Sequence, residues 1–248
     1  MLEPGLFQFG SQTGKIVAPA EVSDHLTAPI VVLVPPSGGF HKVKGGLLEI
    51  PFSCPKPCWY VVMNWHLCGG FKAKLPQELV QLIQFIRTRA NNRAIIGWGF
   101  SRGANWLIEL VREHSGLLDA AVMFAGYPNT KCTWEQKDCA QQLIAVDTCA
   151  ICMLHFTFDQ HCGVSSYPDW HGALQRHTAE QMPAKVAGSV ARALCDLPPL
   201  PASSLLSLNV EGTHDAAYPI WLNWQLDCHP LFKHWFEMMW ELVTFNRR

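Results

Sequence analysis

The chain carries almost no net charge: Lys plus Arg is 19, Asp plus Glu is 20, and charged residues make up only 16% of its 248 positions. Without a basic surplus, neither nucleic acid nor an anionic membrane surface is an expected partner. No stretch offers the roughly twenty uninterrupted apolar residues that a membrane-crossing helix needs. Met1–Gly10 lacks a basic start followed by an apolar run, so no secretory signal is expected, and a cytoplasmic or otherwise reducing compartment is. There is no internal repeat, no low-complexity tract and no compositional boundary, and one domain over residues 1–248 is the expectation. The cysteines make no CxxC…CxxC pattern, so zinc has little support, and no cofactor or metal is expected.

Apolar residues, by contrast, make up 49% of the chain, including ten Trp, thirteen Phe and ten Cys. Such a composition implies a compact body with much of the chain buried, in which most aromatic side chains fill the core. The cysteine spacing favours reduced thiols used as small buried hydrophobes over a disulfide framework, with Cys132–Cys139 left open as a disulfide.

The apolar residues fall into short runs separated by turn formers. Ile30–Val34 is a β-branched run stopped by Pro35-Pro36-Ser37-Gly38-Gly39. Trp59–Trp65 is a second strand-like run, followed by Leu75, Leu79, Leu82, Ile83 and Ile86 at helical spacing, with Pro76 in the first turn. The alternation continues: a strand over 94–98, a helix over 102–112, then strands over 120–125, 150–156 and 204–210. Continuous apolar strands alternating with helices predict a doubly wound, mostly parallel open α/β sheet with helices on both faces.

Residues 165–201 break this rhythm, and either a crossover helix with a long loop or a partial lid fits them. The last segment, Leu231–Phe245, is apolar on nearly every side and reads as a helix packed on the sheet, with a partner-binding helix as the alternative.

Gly99-Phe100-Ser101-Arg102-Gly103 matches G-x-S-x-G. Chance produces such a match in roughly one chain in fifteen of this length, so its position carries the weight. It lies at a strand-to-helix junction, where a sharp turn lifts a serine hydroxyl above the sheet and leaves no room for side chains at Gly99 and Gly103.

On this motif and its order of elements, the stretch from Ile30 to Trp221 resembles the α/β-hydrolase superfamily, and most of all small esterases of the dienelactone hydrolase and phospholipase/carboxylesterase kind. The resemblance implies a serine nucleophile, Ser101, followed by an acid after a late strand and a histidine after the last strand. Asp159, 58 residues beyond the serine, follows the run 150–156 and takes the acid's place, with Asp147 and Asp169 as competitors. The alternative acid position, at Gly126-Tyr127-Pro128-Asn129, holds no carboxylate. His214 follows the last strand and takes the base's place, ahead of His155, His161 and His171.

The oxyanion donors implied are the backbone N–H of Arg102 and a second from the loop after the first strand, Ser37 or Gly38. Pro35-Pro36 stands where many relatives have His-Gly. The expected activity is cleavage of a small carboxylic ester or thioester through an acyl-enzyme. A serine peptidase on the same scaffold and a catalytically idle ligand- or protein-binding relative are the alternatives. Trp65, His66, Phe71, Phe100 and Trp106 are the candidate pocket residues.

Overall fold

A computed structural model describes residues 2–10, 12–37, 54–63, 75–130, 132–161, 163, 165–181 and 205–245. Eight described strands form one sheet: β1 (Gly5–Phe9), β2 (Gln12–Val17), β3 (Ile30–Val34), β4 (Trp59–Met63), β5 (Ile95–Phe100), β6 (Ala120–Phe124), β7 (Ala150–Phe156) and β8 (Leu205–Val210). Their order is β1-β2-β4-β3-β5-β6-β7-β8. Pairing is antiparallel at β1–β2 and β2–β4 and parallel from β4 through β8.

The described helices are α1 (Gln77–Arg89), α2 (Arg102–Glu113), α3 (Thr133–Ile144), α4 (Pro168–Gln181), α5 (His214–Leu222) and α6 (Pro230–Phe245). The chain moves from β3 outward to β4, then returns to lay β5 on the other side of β3. That reversal makes the carboxyl ends of β3 and β5 the sheet's topological switch point, the place where open α/β sheets hold ligands.

Strand β5 shows why both faces are covered. All six of its residues are buried, and successive side chains point to opposite faces. A Cβ at Gly97 or Gly99 would meet Leu107 of α2 at 2.8 and 2.7 Å, so the two glycines let that helix lie close on one face. On the other face Trp98 stacks on Trp224, with centroids 3.9 Å apart and planes at 19°, and packs beside Phe232 and Phe236 of α6. Such aromatic contact contributes about 0.5–1.5 kcal/mol beyond burial, which offsets the left-handed backbone (φ +54°) that Trp224 adopts to reach it. The expected deep packing of the final helix is found: Phe232, Trp235, Phe236, Met239 and Trp240 are all buried.

Part of the irregular stretch is also placed. Helix α4 follows β7 in the chain, and its Trp170 and Leu174 are fully buried, so residues 168–181 are packed into the core. The helix-like piece at 184–194, the Pro-rich link at 197–201 and any lid they build lie outside the described residues. Cys132 and Cys139 are free thiols, which answers the open disulfide: one precedes α3 and the other lies within it. All seven described cysteines are free, with Cys58, Cys149 and Cys152 buried. Among the described residues no helix is long and apolar enough to cross a membrane.

Three elements differ from the sequence reading, one of them helix α5 after His214. Hairpin β1–β2 precedes the first expected strand, and Gly10 follows β1 with a left-handed backbone (φ +58°). Helix α3, with only Gln136, Ala140 and Leu143 buried, fills the β6–β7 crossover.

Candidate active site

The β5–α2 junction is as tight as the glycine pattern requires. Ser101 holds φ +53° and ψ −115°, a conformation costly for a residue with a side chain. It is held there because its N–H donates to Phe124 O at 2.9 Å and its C=O accepts from Asn105 N–H at 3.0 Å. A Cβ at Gly103 would lie 2.1 Å from Val34 O and 2.7 Å from Pro35 O, so the end of β3 passes directly over the first turn of α2. Backbone atoms cannot swing aside as a flexible side chain would. Gly103→Ala is therefore expected to destabilise the fold by about 3 kcal/mol, read as a lower urea midpoint at unchanged m-value.

The candidate acid and base arrive through the β7–β8 pair. Beyond the strand ends, Thr157 N–H donates to Val210 O at 3.0 Å and Phe158 N–H to Gly212 O at 2.9 Å. The ladder thus continues into the two loops and holds Asp159 beside His214. The Asp159 backbone is fixed by its N–H to Phe156 O (3.1 Å) and by Gly163 N–H to its own C=O (3.0 Å). Its Oδ1 accepts the His161 N–H at 2.8 Å, which leaves Oδ2 for the imidazole.

His214 opens helix α5, whose N-cap, Thr213, accepts from Ala216 N–H at 3.4 Å. Seven residues on, Trp221 exchanges two hydrogen bonds with Trp98: Trp98 Nε1 donates to Trp221 O (3.0 Å) and Trp221 Nε1 to Trp98 O (3.3 Å). That pair fastens α5 to the strand carrying Ser101.

The result is one continuous chain of hydrogen bonds. His214 Nε2 lies 3.0 Å from Ser101 Oγ, and His214 Nδ1 lies 2.7 Å from Asp159 Oδ2. The Asp159 side chain is 1% exposed and that of His214 is 19% exposed, so the carboxylate is shielded while the imidazole is reachable from solvent. Shielding strengthens the Nδ1–H···carboxylate bond, which leaves Nε2 bearing the lone pair toward the serine. The Phe100 ring backs the imidazole, with centroids 5.1 Å apart.

The remaining expected residues are placed as follows. The Arg102 N–H belongs to the first turn of α2, whose amides have no intrahelical acceptor. Ser37 is exposed in the turn after β3, on the segment that crosses α2, whereas Gly38 lies outside the described residues. Trp65, His66 and Phe71 also lie outside them. Phe100 and Trp106, expected beside a pocket, are both 4% exposed and belong to the core.

Of the competing acids, Asp147 is exposed and Asp169 pairs with Lys137 at 3.1 Å. Of the competing histidines, His161 is exposed with its ring 5.3 Å from that of His214, while His155 and His171 are buried, their rings 4.1 Å apart. The sequence reading missed the supporting residues Thr213, Phe100 as a backing ring, and the Trp98–Trp221 pair. Thr213 carried a signal, an N-cap residue type directly before the helix.

The buried histidines give the fold a pH dependence of known sign. His155 Nε2 lies 3.1 Å from Ser207 Oγ. Burial, reinforced by His171 and opposed by Asp159, holds the His155 imidazole well below its ordinary 6.5. The unfolded chain takes up that proton near its ordinary value and the folded chain refuses it, so stability is full above 6.5 and falls as pH drops below it. Urea midpoints at pH 7.5 and 5 are expected to show the loss, and His155→Gln to reduce it.

No family model and no curated protein matches the sequence. Solved structures do resemble the fold. A thermostable esterase superposes with a TM-score of 0.56 at 12% identity, over 96% of this chain and 62% of its own. The acylaminoacyl peptidase of Pyrococcus horikoshii gives 0.55 at 13%, over 97% of this chain and 41% of its own. The Bacillus cereus carboxylesterase gives 0.54 at 13%, over 92% and 95%. The chain thus spans less than two thirds of the first two and nearly all of the third. Sheet order, switch point and these likenesses together identify the chain's architecture as the α/β-hydrolase fold.

Proposed function

We propose that the chain is a serine hydrolase that cleaves a small carboxylic ester or thioester through an acyl-enzyme on Ser101. The observation that carries this reading is the relay from Ser101 Oγ through His214 to the shielded carboxylate of Asp159, located at the sheet's switch point.

Ser101 Oγ attacks the carbonyl carbon while His214 Nε2 takes its proton, and Asp159 stabilises the imidazolium and holds its tautomer. Negative charge gathers on the former carbonyl oxygen. The Arg102 N–H and a second amide from the loop at Ser37 and Gly38 stabilise it, and one such donor changes the rate by about 10²–10³-fold. The imidazolium then protonates the leaving alkoxide or thiolate, and water activated by His214 releases the acid. No cofactor takes part in these steps.

Ester and thioester cleavage are favoured over amide cleavage only by the resemblance to small esterases, so substrates decide. Initial rates on p-nitrophenyl esters and acyl-CoA thioesters of graded length, with a peptidyl p-nitroanilide beside them, are the test. Ser101-dependent turnover of the first two classes is expected. Turnover of the anilide alone would make the chain a peptidase, and turnover of none would leave a binding module on this scaffold.

A further inference from the structure

The turn after β7 supplies more than the candidate acid. His161 stands two residues beyond Asp159, and Gly163 closes the turn by donating its N–H to Asp159 O at 3.0 Å. Held there, His161 reaches both of the other groups. Its backbone N–H donates to Asp159 Oδ1 at 2.8 Å, and its ring stands across the His214 ring with centroids 5.3 Å apart and planes at 81°. Among the described residues neither ring nitrogen of His161 takes part in a hydrogen bond, so the ring is engaged through its packing.

His214 is the member of the relay that most needs such packing. The Asp159 side chain is 1% exposed, whereas that of His214 is 19% exposed and projects from the first residue of α5. An imidazole turns about two bonds. During acylation it must take a proton from Ser101 Oγ and hand it to the leaving group while keeping its bond to Asp159. Phe100 backs it with planes at 34°, and Phe100 is itself wedged by Tyr218 and Trp221, with centroids 5.6 and 5.9 Å away. His161 adds a second ring at a different inclination. Two rings so inclined restrict the imidazole more than either alone, and time spent out of line is lost to acylation.

We infer that His161 is a positioning residue of the relay, holding Asp159 with its backbone N–H and the His214 imidazole with its ring. The inference rests on the serine hydrolase reading above, and His161 acts on the reaction only through its two neighbours. Its side chain serves by shape: a flat ring against His214 is needed, and the ring nitrogens are not. His161 is exposed, unlike the buried Phe100, so its side chain can be changed without opening a cavity in the core. The backbone N–H survives such a change, so substitution isolates the ring from the bond to Asp159.

The test compares the whole wild-type chain with His161→Ala and His161→Phe, measuring p-nitrophenyl ester turnover and the rate of fluorophosphonate labelling. Alanine is expected to lower kcat by about tenfold, the upper end of what an edge-to-face ring pair contributes, with KM and the urea midpoint unchanged. Labelling, which needs the serine and its base but no ester binding, is expected to slow by the same factor. Phenylalanine keeps a flat ring and lacks both nitrogens, and it is expected to bring both rates back to within about twofold of wild type.

An alanine variant as fast as wild type would overturn the inference. A phenylalanine variant as slow as the alanine one would overturn it too, because the effect would then belong to a ring nitrogen. A loss confined to KM would place His161 on the substrate, and a lowered urea midpoint in the alanine variant would make the ring a support of the turn; either result removes the role assigned here. Failure of the underlying hydrolase reading has a different signature, since the wild type would then take no label whatever residue stands at 161.

Discussion

Replacing Ser101 by alanine is expected to lower ester turnover on the order of 10⁴- to 10⁶-fold and to abolish covalent labelling by a fluorophosphonate probe. The two readouts are independent in an instructive way. Labelling needs only a serine activated by a base, so it reports the 3.0 Å contact between His214 Nε2 and Ser101 Oγ whatever the natural substrate is. Turnover adds binding and the oxyanion donors. A wild type that takes no label would overturn the nucleophile assignment even if some ester were hydrolysed.

The fold offers its own control. Ser101 sits at φ +53°, so alanine there keeps the strain, whereas glycine relieves it. Ser101→Gly is expected to be inactive and to be more stable than wild type by about 1 kcal/mol. That outcome would mark Ser101 as a residue kept in a costly conformation for chemistry, not for folding.

How much of this was legible in the sequence depends on how each element is buried. Strands β3, β5, β6, β7 and β8 are covered on both faces, so each reads as a continuous apolar run bounded by turns. Hairpin β1–β2 lies at the sheet edge, with β1 largely exposed and β2 mostly half-buried, and its strands Gly5–Phe9 and Gln12–Val17 mix polar and apolar residues with glycine. Its one clear sequence signal is the Gly10-Ser11 pair between the two runs. Helix α3 buries a stripe one residue wide, and helix α5 carries Pro219 in its interior, which breaks the pattern that would announce it.

The candidate site divides along the same line. Ser101 was legible because a strand, a sharp turn and a helix are all local. Asp159 and His214 were placed by order along the chain and by resemblance. Their meeting depends on the β7–β8 register continuing into both loops, a long-range fact that periodicity does not encode. The tryptophans that anchor α5 were visible only as core residues, since a hydrogen-bonded Trp98–Trp221 pair leaves no pattern in composition.

Asp159→Asn carries the second large expectation, about a 10⁴-fold loss of turnover with little change in unfolding midpoint. The substitution keeps size and shape, so the argument rests on hydrogens alone. In the wild type both carboxylate oxygens accept: Oδ1 from the His161 N–H at 2.8 Å and Oδ2 from the imidazole Nδ1 at 2.7 Å. An asparagine has one accepting oxygen for these two donors. If that oxygen stays with His161, its amide nitrogen faces Nδ1 and donates to it. The imidazole then takes the other tautomer, with the proton on Nε2 pointing at Ser101, and can no longer accept the serine proton. If the amide turns over, the His161 bond is lost and the tautomer is kept, but the negative charge that stabilised the imidazolium is gone. Both arrangements slow acylation. Only the second leaves a base able to work at higher pH, so the pH–rate profile of the variant separates them. A variant within tenfold of wild type would remove Asp159 from the relay and leave His214 to act with the serine alone.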